Sequence, residues 1–244
     1  MTARVALITG GAKGIGRAIA LAIASKDWSI AFCYRTSARE AEETASALRE
    51  KGARVLPLQC DVSDESACER MVKRVEEQLG PVDALINCAG PYHRVGLLDE
   101  TPEGWRRMFD HNLHPVFYLA RLVARTMIDR KWGRIISFSM ANADRMLAQP
   151  QLTAHYIAKV GVLALTRALA KQLAPHQITV NAISPGFIAS GSAPDDELQK
   201  MVKSIPAGYI GELSDAVSSA VYLLSDEARY VNGTNLLLSG GWGL

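Results

Sequence analysis

The sequence predicts an α/β protein: a doubly wound parallel sheet, flanked by helices and forming one domain. Three observations lead there. Short apolar runs alternate with helical periods along the whole chain. A glycine-rich stretch, Thr9-Gly10-Gly11-Ala12-Lys13-Gly14-Ile15-Gly16, joins the first apolar run to the first helical period. Small residues, Asn87-Cys88-Ala89-Gly90, follow the fourth run, at the sheet edge where open α/β folds bind ligands. A length of 244 residues suits a single core.

The first run, Val5 to Ile8, is too short for a helix and reads as a strand. Glycines 10, 14 and 16 permit the tight turn, the approach of backbone to pyrophosphate, and close packing of helix on strand. The helix N-terminus adds partial positive charge, so the turn reads as the phosphate site of a Rossmann-type dinucleotide fold. Residues 29–34 form a second strand that ends in Arg35, Thr36 and Ser37. An acidic residue there would bond a ribose 2′-hydroxyl, whereas an arginine accommodates a 2′-phosphate. Arg35 and Thr36, with Lys13 from the glycine loop, make a cationic, hydroxyl-lined patch that favours NADPH over NADH.

A polar helix over residues 38–51 follows, then a third strand over 54–60. That strand runs into Asp61, which either accepts from an adenine amino group or caps the helix over 65–79. The fourth strand spans 82–86. Helices over 102–110 and 113–130 precede a fifth strand at 134–138, and a long helix from about 155 to 173 leads into a sixth strand at 178–183. Residues 187–210, with Pro194, Pro206 and Asp195-Asp196-Glu197, carry no clear strand and read as a substrate lid. A helix over 214–224 and a strand over 235–238 close the chain.

A hydrophobic fraction of 48% with 21% charged residues fits a globular protein, and a net charge of +2 gives no electrostatic case for nucleic acid. No apolar segment approaches a membrane span, and the chain passes from Met1 into a strand with no signal-type segment, so a cytoplasmic setting is expected. Cys33, Cys60, Cys68 and Cys88 contain no CxxC pair. They read as reduced, mostly buried thiols, with no metal site.

Over essentially its full length the sequence resembles the short-chain dehydrogenase/reductase family. The matching motifs are the glycine loop from Thr9 to Gly16, Cys60-Asp61-Val62, Asn87-Cys88-Ala89-Gly90, Asn112, Gly133-Arg134-Ile135-Ile136, Lys159, and the run Asn181 to Gly186. The look is nearest to β-ketoacyl-carrier-protein reductases and pteridine reductases. The resemblance implies that Gly10, Gly14, Ile15 and Gly16 line the pyrophosphate, that Asp61 and Val62 hold the adenine, and that Asn87, Ala89 and Gly90 follow the ribose. Pro185, Gly186 and Ile188 would face the nicotinamide, with Ser190 at its carboxamide. The family usually assembles as homotetramers or homodimers through helices corresponding to residues 113–130 and 156–173.

Catalysis in the family resembles a relay of Asn, Ser, Tyr and Lys, in which the lysine cation lowers the tyrosine pKa. Asn112 and Lys159 match. The serine position reads Met140, with Ser139 one residue early, and the tyrosine position reads His155, with Tyr156 one residue late. Three readings follow. Tyr156 serves as the acid, being three residues from Lys159 on a helix; His155 serves instead; or proton transfer is lost and the chain is a silent NADPH-binding protein. Tyr92, His93, Arg94, Arg145, Met146, Phe187 and Tyr209 fall where relatives surround the substrate. Arg94 and Arg145 suit an anionic or phosphopantetheine-linked substrate, and the aromatics suit a pterin. Arg130 and Lys131 either meet an acidic carrier protein or serve as the basic C-terminus of their helix.

Overall fold

The computed structural model describes residues 3–191 and 195–244. Their centre is a parallel sheet of seven strands in the order β3-β2-β1-β4-β5-β6-β7. The strands are β1 (Arg4–Thr9), β2 (Trp28–Tyr34), β3 (Val55–Gln59), β4 (Ala84–Asn87), β5 (Gly133–Phe138), β6 (Ile178–Pro185) and β7 (Asn235–Leu238). The helices are α1 (Gly14–Ile23), α2 (Ala38–Glu50), α3 (Glu65–Gln78), α4 (Pro102–Asn112), α5 (His114–Arg130), α6 (Thr153–Leu173), α7 (Asp195–Met201) and α8 (Leu213–Leu224).

Strand alternation sends successive side chains into two cores. Leu7, Leu85, Ile135 and Val180 pack with Val75 of α3, Leu119 and Val123 of α5 and Leu173 of α6. Ala6, Ile8, Ile86, Ile136 and Ile183 pack on the other face with Ile19 of α1, Ala45 of α2 and Ala220 of α8. The chain runs outward from β1 to β2 and β3, then returns to place β4 on the opposite side of β1. That reversal leaves a crevice at the carboxyl ends of β1 and β4.

Several element ends differ from the sequence reading for local reasons. β4 starts at Ala84, and just before it the Asp83 carboxylate takes the Val5 N–H at 2.7 Å. α4 continues to Asn112, and Pro115, with no N–H to give, starts α5 afresh. α6 begins at Thr153, so His155 lies inside the first turn. The cap of α3 is Asp64, which accepts from Ser66 N at 2.9 Å, and not Asp61. β6 extends to Pro185, paired with Leu238 of β7.

Within the expected lid, Pro194 and its neighbours 192 and 193 lie outside the described residues. The segment carries α7 and a 3-10 turn over Val202–Ser204. Its root is pinned by Ala189 N to Gly211 O at 2.8 Å and Gly211 N to Phe187 O at 3.0 Å.

Candidate functional site

The glycine loop is built for close backbone approach. Gly10 and Gly14 take φ of +67° and +56°, where a side chain is strained. A Cβ on Gly16 would stand 2.6 Å from the Gly10 carbonyl oxygen, and one on Gly10 would stand 3.2 Å from the Ala89 backbone. Lys13 precedes α1 without a side-chain cap, so the first amides of α1 are left to an external acceptor. Thr9 locks this loop to the end of β4, its Oγ1 accepting from Cys88 N and Ala89 N at 3.0 Å each.

A cleft of about 580 Å³ opens there. Gly10, Lys13, Gly14, Ile15 and Gly16 form one wall, Arg35, Thr36, Asp61 and Val62 one end, and Ala89, Gly90 and Ser190 the other side. A crevice lined by the free amides of α1 and by the Lys13 and Arg35 cations can hold a phosphate-bearing dinucleotide. Asn87 lies beneath it with Nδ2 donating to Ser137 Oγ at 3.2 Å and Oδ1 buried without a partner. Pro185, Gly186 and Ile188 lie at and just beyond the end of β6. Gly186 N donates to Leu238 O, and Ile188 bridges Gly211.

At the cationic end, His111 joins the residues named from sequence. Arg35 Nη1 is 2.9 Å from His111 Nε2 and 3.9 Å from an Asp61 oxygen. The other ring nitrogen faces the Arg107 carbonyl at 3.1 Å and must donate to it, so in the neutral ring Nε2 accepts from Arg35. Burial pushes the Asp61 carboxyl up. The hydroxyl and amide of Ser63, with His111 and Arg35 beside them, outweigh that and hold it below its ordinary value. Adjacency to Asn112 was the only sequence signal for His111.

Where β5 meets α6, the site loses its hydroxyls. Tyr156 is 6% exposed and its hydroxyl is committed twice, donating to Asn142 O at 2.8 Å and accepting from Leu147 N at 2.9 Å. Ser139 Oγ donates to the Lys159 carbonyl at 2.8 Å. Met140 packs beside Leu163 and Ala182. Asn112 donates through Nδ2 to Met108 O and Pro91 O at 2.9 and 3.0 Å, leaving Oδ1 buried and without a partner.

Lys159 is almost fully buried, and its Nζ donates to Phe138 O at 2.8 Å. Burial lowers its pKa to about 8. One turn earlier on α6, His155 is pushed down to about 3, first by burial and then by the Lys159 cation. Its ring hydrogen-bonds the Pro91 backbone and lies edge-on to Tyr92 at 6.1 Å between centroids. Burial raises the neighbouring Cys88 thiol, against the pull of Lys159.

Two backbone bonds clasp the loop after β4, which lines the cleft, to the loop after β5: Val95 N to Gln151 O at 3.0 Å and Leu97 N to Pro150 O at 2.9 Å. Tyr92, Arg94, Arg145 and Met146 are exposed along these loops, and Tyr209 is exposed in the lid segment. His93 turns to Glu100 at 2.6 Å and Arg107 at 3.1 Å, and Phe187 meets Trp242 edge-on at 4.8 Å.

Residues 10–243 match the family model described as Enoyl-(Acyl carrier protein) reductase. The chain is 32% identical to the 3-oxoacyl-(acyl-carrier-protein) reductase FabG of Haemophilus influenzae, covering 99% of this chain and 98% of that protein. It is 36% identical to the acetoacetyl-CoA reductase of Rhizobium meliloti, covering 98% of each. Among solved structures, a dehydrogenase/reductase from Sinorhizobium meliloti superposes with a TM-score of 0.92 at 28% identity, covering 100% of this chain and 96% of that one. A variant of actinorhodin polyketide ketoreductase, solved with NADPH, superposes with a TM-score of 0.92 at 27% identity, covering 100% and 99%. No helix among the described residues is long and apolar enough to cross a membrane.

Proposed function

The chain belongs to the short-chain dehydrogenase/reductase family, and from that premise we propose that it reduces a carbonyl, or a C=N bond, of a small or acyl-type substrate with NADPH. The observation that carries this reading is the run of the cleft, from the Lys13 and Arg35 cations past the free amides of α1 to Gly90. A Cβ on Gly90 would meet Asn112 Oδ1 and stand 3.4 Å from Lys159 Nζ, so the cleft ends against the proton-handling residues.

In this reading Lys13, Arg35 and Thr36 hold the 2′-phosphate. The first turn of α1 holds the pyrophosphate, Asp61 and Val62 flank the adenine, and Asn87, Ala89, Gly90 and Lys159 follow the nicotinamide ribose. Pro185, Gly186, Ile188 and Ser190 bound the nicotinamide. When bound, the cofactor supplies a hydride. The loops after β4 and β5 hold the substrate and exclude water, while Asn112 fixes the break between α4 and α5 beside Lys159. Proton delivery belongs to the His155–Lys159 pair, because the Tyr156 hydroxyl is already committed on both sides.

FabG and acetoacetyl-CoA reductase are named for acyl thioester substrates. An acyl-carrier-linked or coenzyme-linked β-ketoacyl group is therefore the first substrate class to try. Phe117 on α5 and Ile157 on α6 are exposed apolar residues, which supports assembly into a homodimer or homotetramer through these helices, and a cytoplasmic setting is part of the same proposal. The test is a fluorescence titration with NADPH and NADH, followed by NADPH oxidation in the presence of an acetoacetyl thioester. Tight NADPH binding with turnover supports the reading. Binding without turnover on any carbonyl substrate supports a silent NADPH-binding protein, a reading favoured by Met140 at the serine position.

A further inference from the structure

We propose that Lys159 delivers the proton to the substrate oxygen, with His155 as the residue that positions it. This rests on the reductase reading and names the acid within it. The argument runs through the hydrogens available at the site. Pro91 has no N–H, so the bond between its backbone and His155 is one in which the ring donates to the Pro91 carbonyl. His155 Nδ1 is buried without a partner, so the donating nitrogen is Nε2. A neutral His155 has one ring hydrogen, and it points at Pro91. Its other nitrogen, Nδ1, keeps a buried lone pair and no hydrogen to give.

The hydroxyls are equally committed. Tyr156 gives its hydrogen to Asn142 O, and Ser139 gives its own to the Lys159 carbonyl. The Lys159 ammonium carries three hydrogens, of which one goes to Phe138 O. Two buried acceptors nearby have no partner: Asn112 Oδ1, which a Cβ on Gly90 would meet together with Nζ, and Nδ1 of His155, one turn earlier on α6. Among the groups brought together here, Lys159 alone is a cationic acid with hydrogens to spare.

The step balances. A bound reduced nicotinamide would supply the hydride for the new C–H bond, leaving the C=O π pair on the substrate oxygen. The Nζ–H bond then breaks as O–H forms, leaving Lys159 a neutral amine that regains its proton from solvent. The burial that lowers Lys159 toward neutrality makes it a competent acid at physiological pH.

The test follows the Lys159 proton with and without turnover. In ligand-free protein carrying 13C-labelled lysine side chains, one Cε resonance should titrate well below the others and vanish in Lys159→Met. With an acetoacetyl thioester and NADPH, turnover should fall as pH rises through the Lys159 titration. Lys159→Arg, a cation that cannot release its proton, should lose that basic limb. Lys159→Ala should lose at least about 100-fold in turnover and be partly rescued by small primary amines, with rescue tracking amine acidity. His155→Phe should turn over more slowly and keep the basic limb. An active wild type whose basic limb survives in Lys159→Arg but disappears in His155→Phe, with no amine rescue of Lys159→Ala, overturns the proposal alone. A wild type that binds NADPH and reduces no carbonyl substrate overturns the reductase reading, and the proposal with it.

Discussion

The Tyr156 hydroxyl donates to the carbonyl of Asn142, a residue held in the left-handed region at φ +70°. The same oxygen accepts from Leu147 N, so one phenol braces both ends of the turn that follows β5. Tyr156 is thus a strut for the wall of the substrate mouth.

Tyr156→Phe is therefore expected to destabilise the fold by about 1–3 kcal/mol, the cost of leaving a buried carbonyl and an amide unpaired. Chemical denaturation measures this. The variant should keep the pH dependence of turnover, which a loss of the acid would abolish.

Arg35 sets the charge at the cationic end of the cleft, and His111 and Asp61 fix its position. Arg35→Asp should weaken NADPH binding by roughly 10- to 100-fold, the worth of a charge-assisted hydrogen bond, and move preference toward NADH. Dissociation constants for the two nucleotides, taken from nicotinamide fluorescence, decide the matter.

Gly90 does not take a positive φ, so alanine is conformationally acceptable there, yet the added methyl would strike Asn112 Oδ1 close to Lys159 Nζ. Gly90→Ala should cut turnover by about 100-fold, as displacement of a reacting group by a fraction of an ångström to one ångström does. Steady-state turnover measures the loss, and circular dichroism checks that the variant is folded, since the methyl meets the buried Asn112 side chain.

Lys159 is a stability cost at neutral pH. Its folded pKa of about 8 is below its ordinary 10.5, so the unfolded chain binds that proton more tightly. Stability should rise with pH between these two values, and Lys159→Met should be more stable at pH 7, by up to about 3 kcal/mol less what Phe138 O forfeits. His155 works in the acid range. With a folded pKa of about 3 against 6.5, its contribution is present above 6.5 and drains away as pH falls toward 3. His155→Gln should flatten that slope in denaturation curves recorded from pH 7 to pH 4.

Much of the framework was legible because it is local. The strand at residues 235–238 and the turn from Thr9 to Gly16 announce themselves by runs of apolar residues and by glycine, and the structure has both in place. The start of α6 was not legible. It depends on a loop whose Gln149 carbonyl takes the Thr153 hydroxyl at 2.9 Å, and on Leu152, which carries no capping side chain. Nor could spacing along a helix reveal that Tyr156 turns toward Asn142, since that contact requires a left-handed turn 14 residues away. The pairing of Arg35 with His111 spans 76 residues and exists only because β2 and α4 end at the same crevice.

The bonds from Val95 and Leu97 to Gln151 and Pro150 join two walls that come from different crossovers of the sheet. Neither wall can swing out while they hold, so widening the entrance is a cooperative unzipping of both. The amide protons of Val95 and Leu97 would trade with deuterium only during that unzipping, and their exchange rate is a clock for how often the two walls part.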